Sequence, residues 1–269
     1  MPTPAPGHPE IELLVAPNPG PMTLEGTNTY VVAAAEGAYV IDPGPDDAGH
    51  IEAVRATAEA HGGIAGVLLT HSHADHSAGV EALGAPLLWG RVSEGDEAAA
   101  FAASGGDAPG PPTPPEPPSR IGPFAVVATP GHAADHVAYS WGRVCFCGDL
   151  ILGHGSSIVP PASGGGSLAE YMNSLERLAE LEPDLLAPGH GPWITDPAAK
   201  IEEYAEHRRL RERHLVAALE RGERSRAALL AEVWNDVPEI LRPAAAVAMQ
   251  AHIEKLEADG LLAAGELTP

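Results

Sequence analysis

The sequence predicts an α/β domain of layered sheets followed by a small helical appendage. Three observations carry this. Short apolar runs bounded by turn residues recur through the first two thirds of the chain and alternate with helical patterns. Three of those runs end in a glycine beside a histidine or aspartate, and a fourth runs straight into a segment dense in both. After His190-Gly191-Pro192 the pattern changes to charged helices.

The elements follow in order. Ile11–Ala16, Thr29–Ala35 and Ala38–Ile41 read as strands, the last stopped by Asp42-Pro43-Gly44-Pro45. Ala48–Ala60 reads as a helix ended by His61-Gly62-Gly63, Gly66–Thr70 as a buried strand, Ser77–Leu83 as a helix and Ala85–Trp89 as a strand. Ser104–Ser119, rich in glycine and proline, reads as a surface loop. Further strands are expected at Phe124–Ala128, Val137–Trp141, Arg143–Cys147 and Asp184–Ala187. Between the last two, Ser167 opens a helix with Glu170 completing an S-x-x-E capping box, and Leu168, Met172, Leu175, Leu178 and Leu181 form its apolar stripe. Beyond it, a helix from about Ala198 to Glu220, helices at Ser225–Trp234 and Pro243–Asp259, and a short β-wing at Leu261–Leu267 suggest a winged-helix-like unit. The division is thus 1–197 and 198–269.

Composition narrows the function. Of 269 residues, 44% are hydrophobic and 19% charged, ordinary for a globular chain, and no apolar run reaches the roughly 20 residues of a membrane span. No export signal is visible at Met1–Gly7, and only Cys145 and Cys147 occur, so a cytoplasmic location is expected. Lys and Arg number 15 against 37 Asp and Glu, leaving a net charge of −22, which repels phosphate backbones at long range and argues against DNA as a partner. The basic cluster, Arg208, Arg209, Arg211, Arg213, Arg221, Arg224 and Arg226, is interleaved with Glu206, Glu212, Glu220 and Glu223. It is either an ion-paired solvated face or an anion contact for small carboxylates or RNA. The last helix carries Glu254, Glu257 and Asp259 against Lys255 and is expected to pack rather than read DNA.

One segment carries the chemistry: Thr70-His71-Ser72-His73-Ala74-Asp75-His76. At a strand end, side chains two apart share a face, so His71 and His73 can converge on one ion while Asp75 and His76 face a second. Imidazole and carboxylate are the donors zinc prefers. Further candidates stand at Thr129-Pro130-Gly131-His132, Cys147-Gly148-Asp149 and Pro188-Gly189-His190-Gly191, where glycine lets the backbone turn sharply. Cys145 and Cys147 read as buried thiols, Asp135 and His136 as either a polar strand start or support for a ligand, and His154 as a loop residue.

On these motifs, from Asp42 to His190, the chain resembles the metallo-β-lactamase-fold superfamily. The resemblance implies an αββα four-layer sandwich with a dinuclear site at one sheet edge. It also implies His71, His73 and His132 on the first metal, Asp75, His76 and His190 on the second, and Asp149 bridging the two. Asp42 would support the ligands, although a plain turn former fits the same position. Asn18-Pro19-Gly20, Gly26-Thr27-Asn28-Thr29-Tyr30, Tyr171-Met172-Asn173-Ser174-Leu175 and His207-Arg208 are similar to the β-lactamase-like-protein-2 group, which includes a single-strand-selective endoribonuclease. Glyoxalase II, a thioesterase, resembles the chain through the same seven ligands. The implied cofactors are two divalent ions, zinc by expectation and about 3.5 Å apart, sharing a bridging hydroxide. Asp75 and Asp149 are the expected catalytic carboxylates. The expected reaction is hydrolysis of a small ester or thioester, the alternative an RNA phosphodiester. Aspartate rather than cysteine at 149 and the lack of an export signal argue against antibiotic hydrolysis.

Overall fold

A computed structural model describes residues 2–92 and 114–268. It contains strands β1 (Thr3–Ala5), β2 (His8–Val15), β3 (Asn28–Ala34), β4 (Gly37–Ile41), β5 (Ile64–Leu68), β6 (Leu87–Trp89), β7 (Arg120–Ile121), β8 (Phe124–Ala128), β9 (Val137–Trp141), β10 (Val144–Gly148) and β11 (Leu185–Pro188). Its helices are α1 (Ala48–Glu59), α2 (Ala74–Ser77), α3 (Gly79–Leu83), α4 (Leu168–Glu180), α5 (Pro197–Glu220), α6 (Arg226–Val233) and α7 (Arg242–Ala258). One sheet runs β1-β2-β3-β4-β5-β6 and the other β11-β10-β9-β8-β7.

Alternation of side chains builds the four layers. Inward residues Ile11, Tyr30, Tyr39 and Leu68 of the first sheet meet Phe124, Tyr139 and Phe146 of the second. On the outer face of the first sheet, Val31, Val40 and Val67 pack with Ile51, Val54 and Ala58 of α1. On the outer face of the second, Cys145, Cys147 and Leu186 pack with Leu175 and Leu178 of α4 and Ile201 and Tyr204 of α5. Both cysteines are therefore core thiols, and burial pushes Cys145 up to about 12. The arrangement is the αββα sandwich.

The C-terminal part of α5 leaves this core. Leu215, Ala218 and Leu219 pack instead with Leu229, Val233, Trp234, Met249 and Ile253 of α6, α7 and their connection. Helix α7 packs back on the sandwich through Ala251, and Glu254 accepts the Ala162 amide at 2.8 Å. Among the described residues, no helix is long and apolar enough to cross a membrane.

Several expectations change. Thr3–Ala5 and Arg120–Ile121 pair at the sheet edges although both are too short to show a period. The wing at Leu261–Leu267 is not a strand pair; the end of the chain makes only a bridge between Ser225 and Thr268. Ser167 does cap α4, accepting the Glu170 amide at 3.3 Å. Its own amide donates to the Gly131 carbonyl at 3.0 Å, so the reciprocal half of the expected box is replaced by a tertiary bond. Of the loop at Ser104–Ser119, residues 104–113 lie outside the described residues, and Pro114–Ser119 are without helix or strand.

Candidate metal centre

The candidate residues gather where β4, β5, β8, β10 and β11 end. Strand β5 stops at Leu68, so His71 and His73 are not strand neighbours as the sequence spacing suggested. They converge because the loop between β5 and α2 turns back, with His73 at the N-terminal boundary of α2. His71 Nε2 lies 2.9 Å from His73 Nδ1, and His132 Nε2 lies 3.0 Å from the same atom. Zinc–nitrogen bonds of about 2.0–2.1 Å in tetrahedral geometry separate ligand atoms by about 3.3 Å, so this trio is set at nearly that spacing.

The second group is carboxylate-rich. Asp75 Oδ2 stands 3.5 Å from His76 Nε2 and 3.2 Å from His190 Nε2. Asp149 lies between the groups: Oδ1 is 3.6 Å from His76 Nε2, while Oδ2 is 3.4 Å from His190 Nε2 and 3.8 Å from His132 Nε2. All seven sequence candidates are thus brought together, and three sets among them could hold an ion: His71, His73, His132; His71, His76, Asp149; and Asp75, His76, His190.

Hydrogen bonds decide which ring nitrogen faces inward. Thr70 Oγ1 donates to Asp42 Oδ2 at 2.7 Å, so it accepts from His71 Nδ1 at 3.0 Å. His76 Nδ1 donates to Asp42 Oδ2 at 3.0 Å, His132 Nδ1 to the Ile158 carbonyl at 2.7 Å, and His190 Nδ1 to the Gly26 carbonyl at 3.1 Å. With its proton committed to Nδ1, each of these four rings can turn an Nε2 lone pair into the site. Asp42 is both turn former and support: its φ is +50°, and Oδ1 also accepts the Thr70 amide at 2.8 Å.

Glycine stands beside the candidate residue at three of these strand ends, those of β8, β10 and β11. Gly131 and Gly148 have φ of +133° and +47°. Gly189 serves differently, because a Cβ there would lie 2.1 Å from Asp149 Oδ1. The bare backbone lets the carboxylate sit against the strand end.

The electrostatics divide the site. Burial holds His71, His73 and His132 below the usual imidazole range, His132 at about 4, so this half offers neutral lone pairs. In the other half burial opposes every charge but loses. His76 beside Asp75 and His190 beside Asp149 hold both carboxyls low, Asp75 at about 2. Asp75 raises His76 and Asp149 raises His190, the latter to about 9. Asp75, Asp149 and Asp42 therefore draw positive charge into a buried space. Among the described residues, His76 Nε2 and Asp149 Oδ1 are buried polar atoms with no hydrogen-bond partner. Two bare donor atoms facing one space fit a metal cation.

The remaining histidines and the arginines settle into distinct roles. His136 is buried, bonded through Nδ1 to Thr129 Oγ1 at 2.8 Å, with its ring 5.2 Å from that of His71. His154 is an exposed loop residue paired with Glu25 at 3.0 Å. The arginine cluster is neither a uniform solvated face nor an open anion contact. Arg208 is buried over the Tyr171 ring and donates to the Ser157 carbonyl; Arg211 is buried over Trp234 and pairs with Asp236 at 2.8 Å. Arg209 and Arg213 pair with Glu206, Arg221 with Glu232 and Arg224 with Glu266, while Arg226 donates to Gln250. Sequence reasoning missed Gly26, Thr70 and Ile158 as supports, since each meets its histidine only through the fold; the G-T-N-T-Y motif was the available signal for the first.

Comparison with known proteins agrees with this fold. The family described as the metallo-beta-lactamase superfamily matches residues 22–190, and the beta-lactamase associated winged helix domain matches residues 225–266. Beta-lactamase-like protein 2 homolog of Drosophila melanogaster is 34% identical over 266 residues, 91% of this chain and 87% of the relative. Lactamase-like protein adaB of Aspergillus niger is 38% identical over 218 residues, covering 76% of this chain but 62% of the relative. The crystal structure of a metallo-beta-lactamase family protein from Thermus thermophilus superposes with a TM-score of 0.69 at 25% identity, over 95% of each chain. With the sandwich, the strand-end histidines and a family match spanning both, the chain belongs to the metallo-β-lactamase superfamily of metal-dependent hydrolases.

Proposed function

We propose that this chain is a dinuclear hydrolase of a small ester or thioester. In this reading His71, His73 and His132 hold one ion, Asp75, His76 and His190 the other, and Asp149 lies between them. The observation that carries it is the convergence of five imidazoles and two carboxylates, with four rings fixed at Nδ1 and with His76 Nε2 and Asp149 Oδ1 bare. The nitrogen and oxygen donor set suits zinc. Two such ions would supply Lewis acidity and a water acidic enough to attack near neutral pH.

The protein's own groups perform the rest. Asp149, whose Oδ1 is buried and without a hydrogen-bond partner, would hold the ions and orient the attacking water. Asp75 balances charge beside His76 and His190. The four Nδ1–H groups keep donating to their oxygen acceptors throughout, so the rings hold their direction while the substrate changes charge.

Charge supports the small substrate. In the cluster from Arg208 to Arg226, two arginines are buried and the others engage glutamate or glutamine, so little positive charge remains there to follow a phosphate backbone. The test is a zinc-loaded preparation assayed on a thioester panel and on single-stranded RNA across a salt series. Thioester turnover with a KM that changes little with salt is expected. RNA cleavage whose affinity falls steeply with salt, and loses slope in Arg209→Ala, would favour the nuclease instead; each phosphate contact contributes about 0.7 to the log–log slope.

A further inference from the structure

Of the motif Gly26-Thr27-Asn28, the reaction proposed above uses only the Gly26 carbonyl, yet all three residues reach the candidate metal centre. The Gly26 carbonyl accepts His190 Nδ1. Gly26 can be nothing larger: its φ is +137° and a Cβ would lie 1.9 Å from the Ala16 carbonyl oxygen. Thr27 is fully buried and pairs by its backbone with His190. Asn18 grips Thr27 at two points, Oδ1 accepting its amide and Nδ2 donating to its hydroxyl, each at 2.9 Å. A hydroxyl that already accepts from Asn18 must direct its own proton elsewhere, and Asp75 Oδ2 is the acceptor it reaches, at 3.5 Å. Asn28 fixes the strand end itself. Its amide donates to the Gly189 carbonyl at 2.8 Å, and Nδ2 donates to the Pro188 and Gly191 carbonyls at 2.9 and 2.8 Å.

These bonds are one-sided. They reach Asp75, His190 and the strand end carrying His190. The supports found for the other trio come from elsewhere: Thr70 and Asp42 for His71, and Ile158 for His132. We propose that the Asn18–Asn28 segment is a clamp for one metal position only, with Thr27 the positioning residue that orients the Asp75 carboxylate. The inference rests on the dinuclear reading. Asp42 backs His71 and His76 alike, but the Asn18–Asn28 bonds serve one position alone, so that ion can be loosened while the other stays.

Thr27→Val tests this, because valine keeps the shape and β-branching and puts a methyl in place of the hydroxyl that meets Asn18 Nδ2 and Asp75 Oδ2. Zinc-loaded wild type, Thr27→Val, Thr27→Ser and Asn18→Ala are dialysed against graded chelator, and retained zinc is counted per chain. Thr27→Val and Asn18→Ala should release their first ion at a chelator concentration at least about tenfold lower than wild type and their second at the wild-type concentration. Thr27→Ser, with the hydroxyl restored, should follow wild type. Asn18→Ala leaves the buried Thr27 in place and provides the comparison if Thr27→Val fails to fold. If both variants release zinc as wild type does, or lose both ions together, the clamp is refuted and the dinuclear reading stands. A wild type that never holds two ions refutes both.

Discussion

Replacing Asp42 with Asn would test how the ring nitrogens are set. The substitution is nearly isosteric, and asparagine tolerates the φ of +50° found here. What changes is one acceptor. Asp42 Oδ1 accepts the Thr70 amide, while Oδ2 accepts the Thr70 hydroxyl and His76 Nδ1. A backbone amide cannot reverse its role, so the asparagine oxygen must face Thr70 N and its NH2 must take the place of Oδ2. The Thr70 hydroxyl then becomes an acceptor and turns its proton towards His71 Nδ1, 3.0 Å away. His76 is asked to accept at Nδ1 as well. Both rings are thereby pushed to carry their proton on Nε2, the nitrogen that faces the metal centre.

Restoring a lone pair at Nε2 would set two donors against each other at each ring, at about 1–3 kcal/mol for each buried group left without an acceptor. Zinc affinity should fall about 10- to 100-fold, as is usual when the support of a metal-binding histidine is removed. Because the proposed reading gives His71 to one ion and His76 to the other, and Asp42 supports both rings, both ions should be weakened, unlike the outcome expected for Thr27→Val. Competitive chelation gives the affinities, and thermal unfolding of the metal-free protein should show the fold retained. An Asp42→Asn protein that binds two zinc ions as tightly as wild type would refute the assignment of the ring protons.

Three further outcomes are expected. In Gly189→Ala the new Cβ, 2.1 Å from Asp149 Oδ1 and 2.8 Å from His76 Cε1, should displace the carboxylate, at an overpacking cost of about 1–3 kcal/mol. Zinc content and turnover should both drop, and full activity with two ions bound would contradict the packing. Asp149→Ala should lower turnover on any substrate by orders of magnitude while circular dichroism shows the sandwich intact; near-normal turnover would place catalysis elsewhere. Burial first, and Arg208 next, hold His252 down at about 3 against an ordinary value of 6.5. A histidine depressed in the fold stabilises it above pH 6.5, and that contribution is lost as pH falls towards 3, by about 2 kcal/mol at pH 5. His252→Phe should flatten this acid limb in urea unfolding between pH 7 and 5, and an unchanged slope would contradict the assignment.

The arginines show how burial overrides a reading of charge. At helical spacing with glutamates between them, Arg208 to Arg226 admit a solvated face or an anion contact. In the fold, Arg208 is buried against Tyr171 and the Ser157 carbonyl and Arg211 against Trp234, all remote in sequence. The charge pattern was legible; the cover was not. Likewise the pairing of Ser167 with Gly131 cannot be seen in the four residues of a capping box, because its acceptor lies across the structure.

Apolar period and turn residues act over a few positions, so the longer strands and helices were legible in the sequence, while the short edge strands Thr3–Ala5 and Arg120–Ile121 were not. By itself, the sequence also determined the seven candidate ligands, because few roles other than metal binding suit so dense a run of histidine and aspartate placed at strand ends. Tertiary structure alone decided which nitrogen of each imidazole faces inward. That choice rests on Gly26, Asp42, Thr70 and Ile158, whose groups meet His190, His76, His71 and His132 only when β3, β4, β5 and the loop after β10 are brought to one edge of the sandwich. Local periodicity carries no record of such bonds. A ring's proton is placed by whatever acceptor the fold sets beside it.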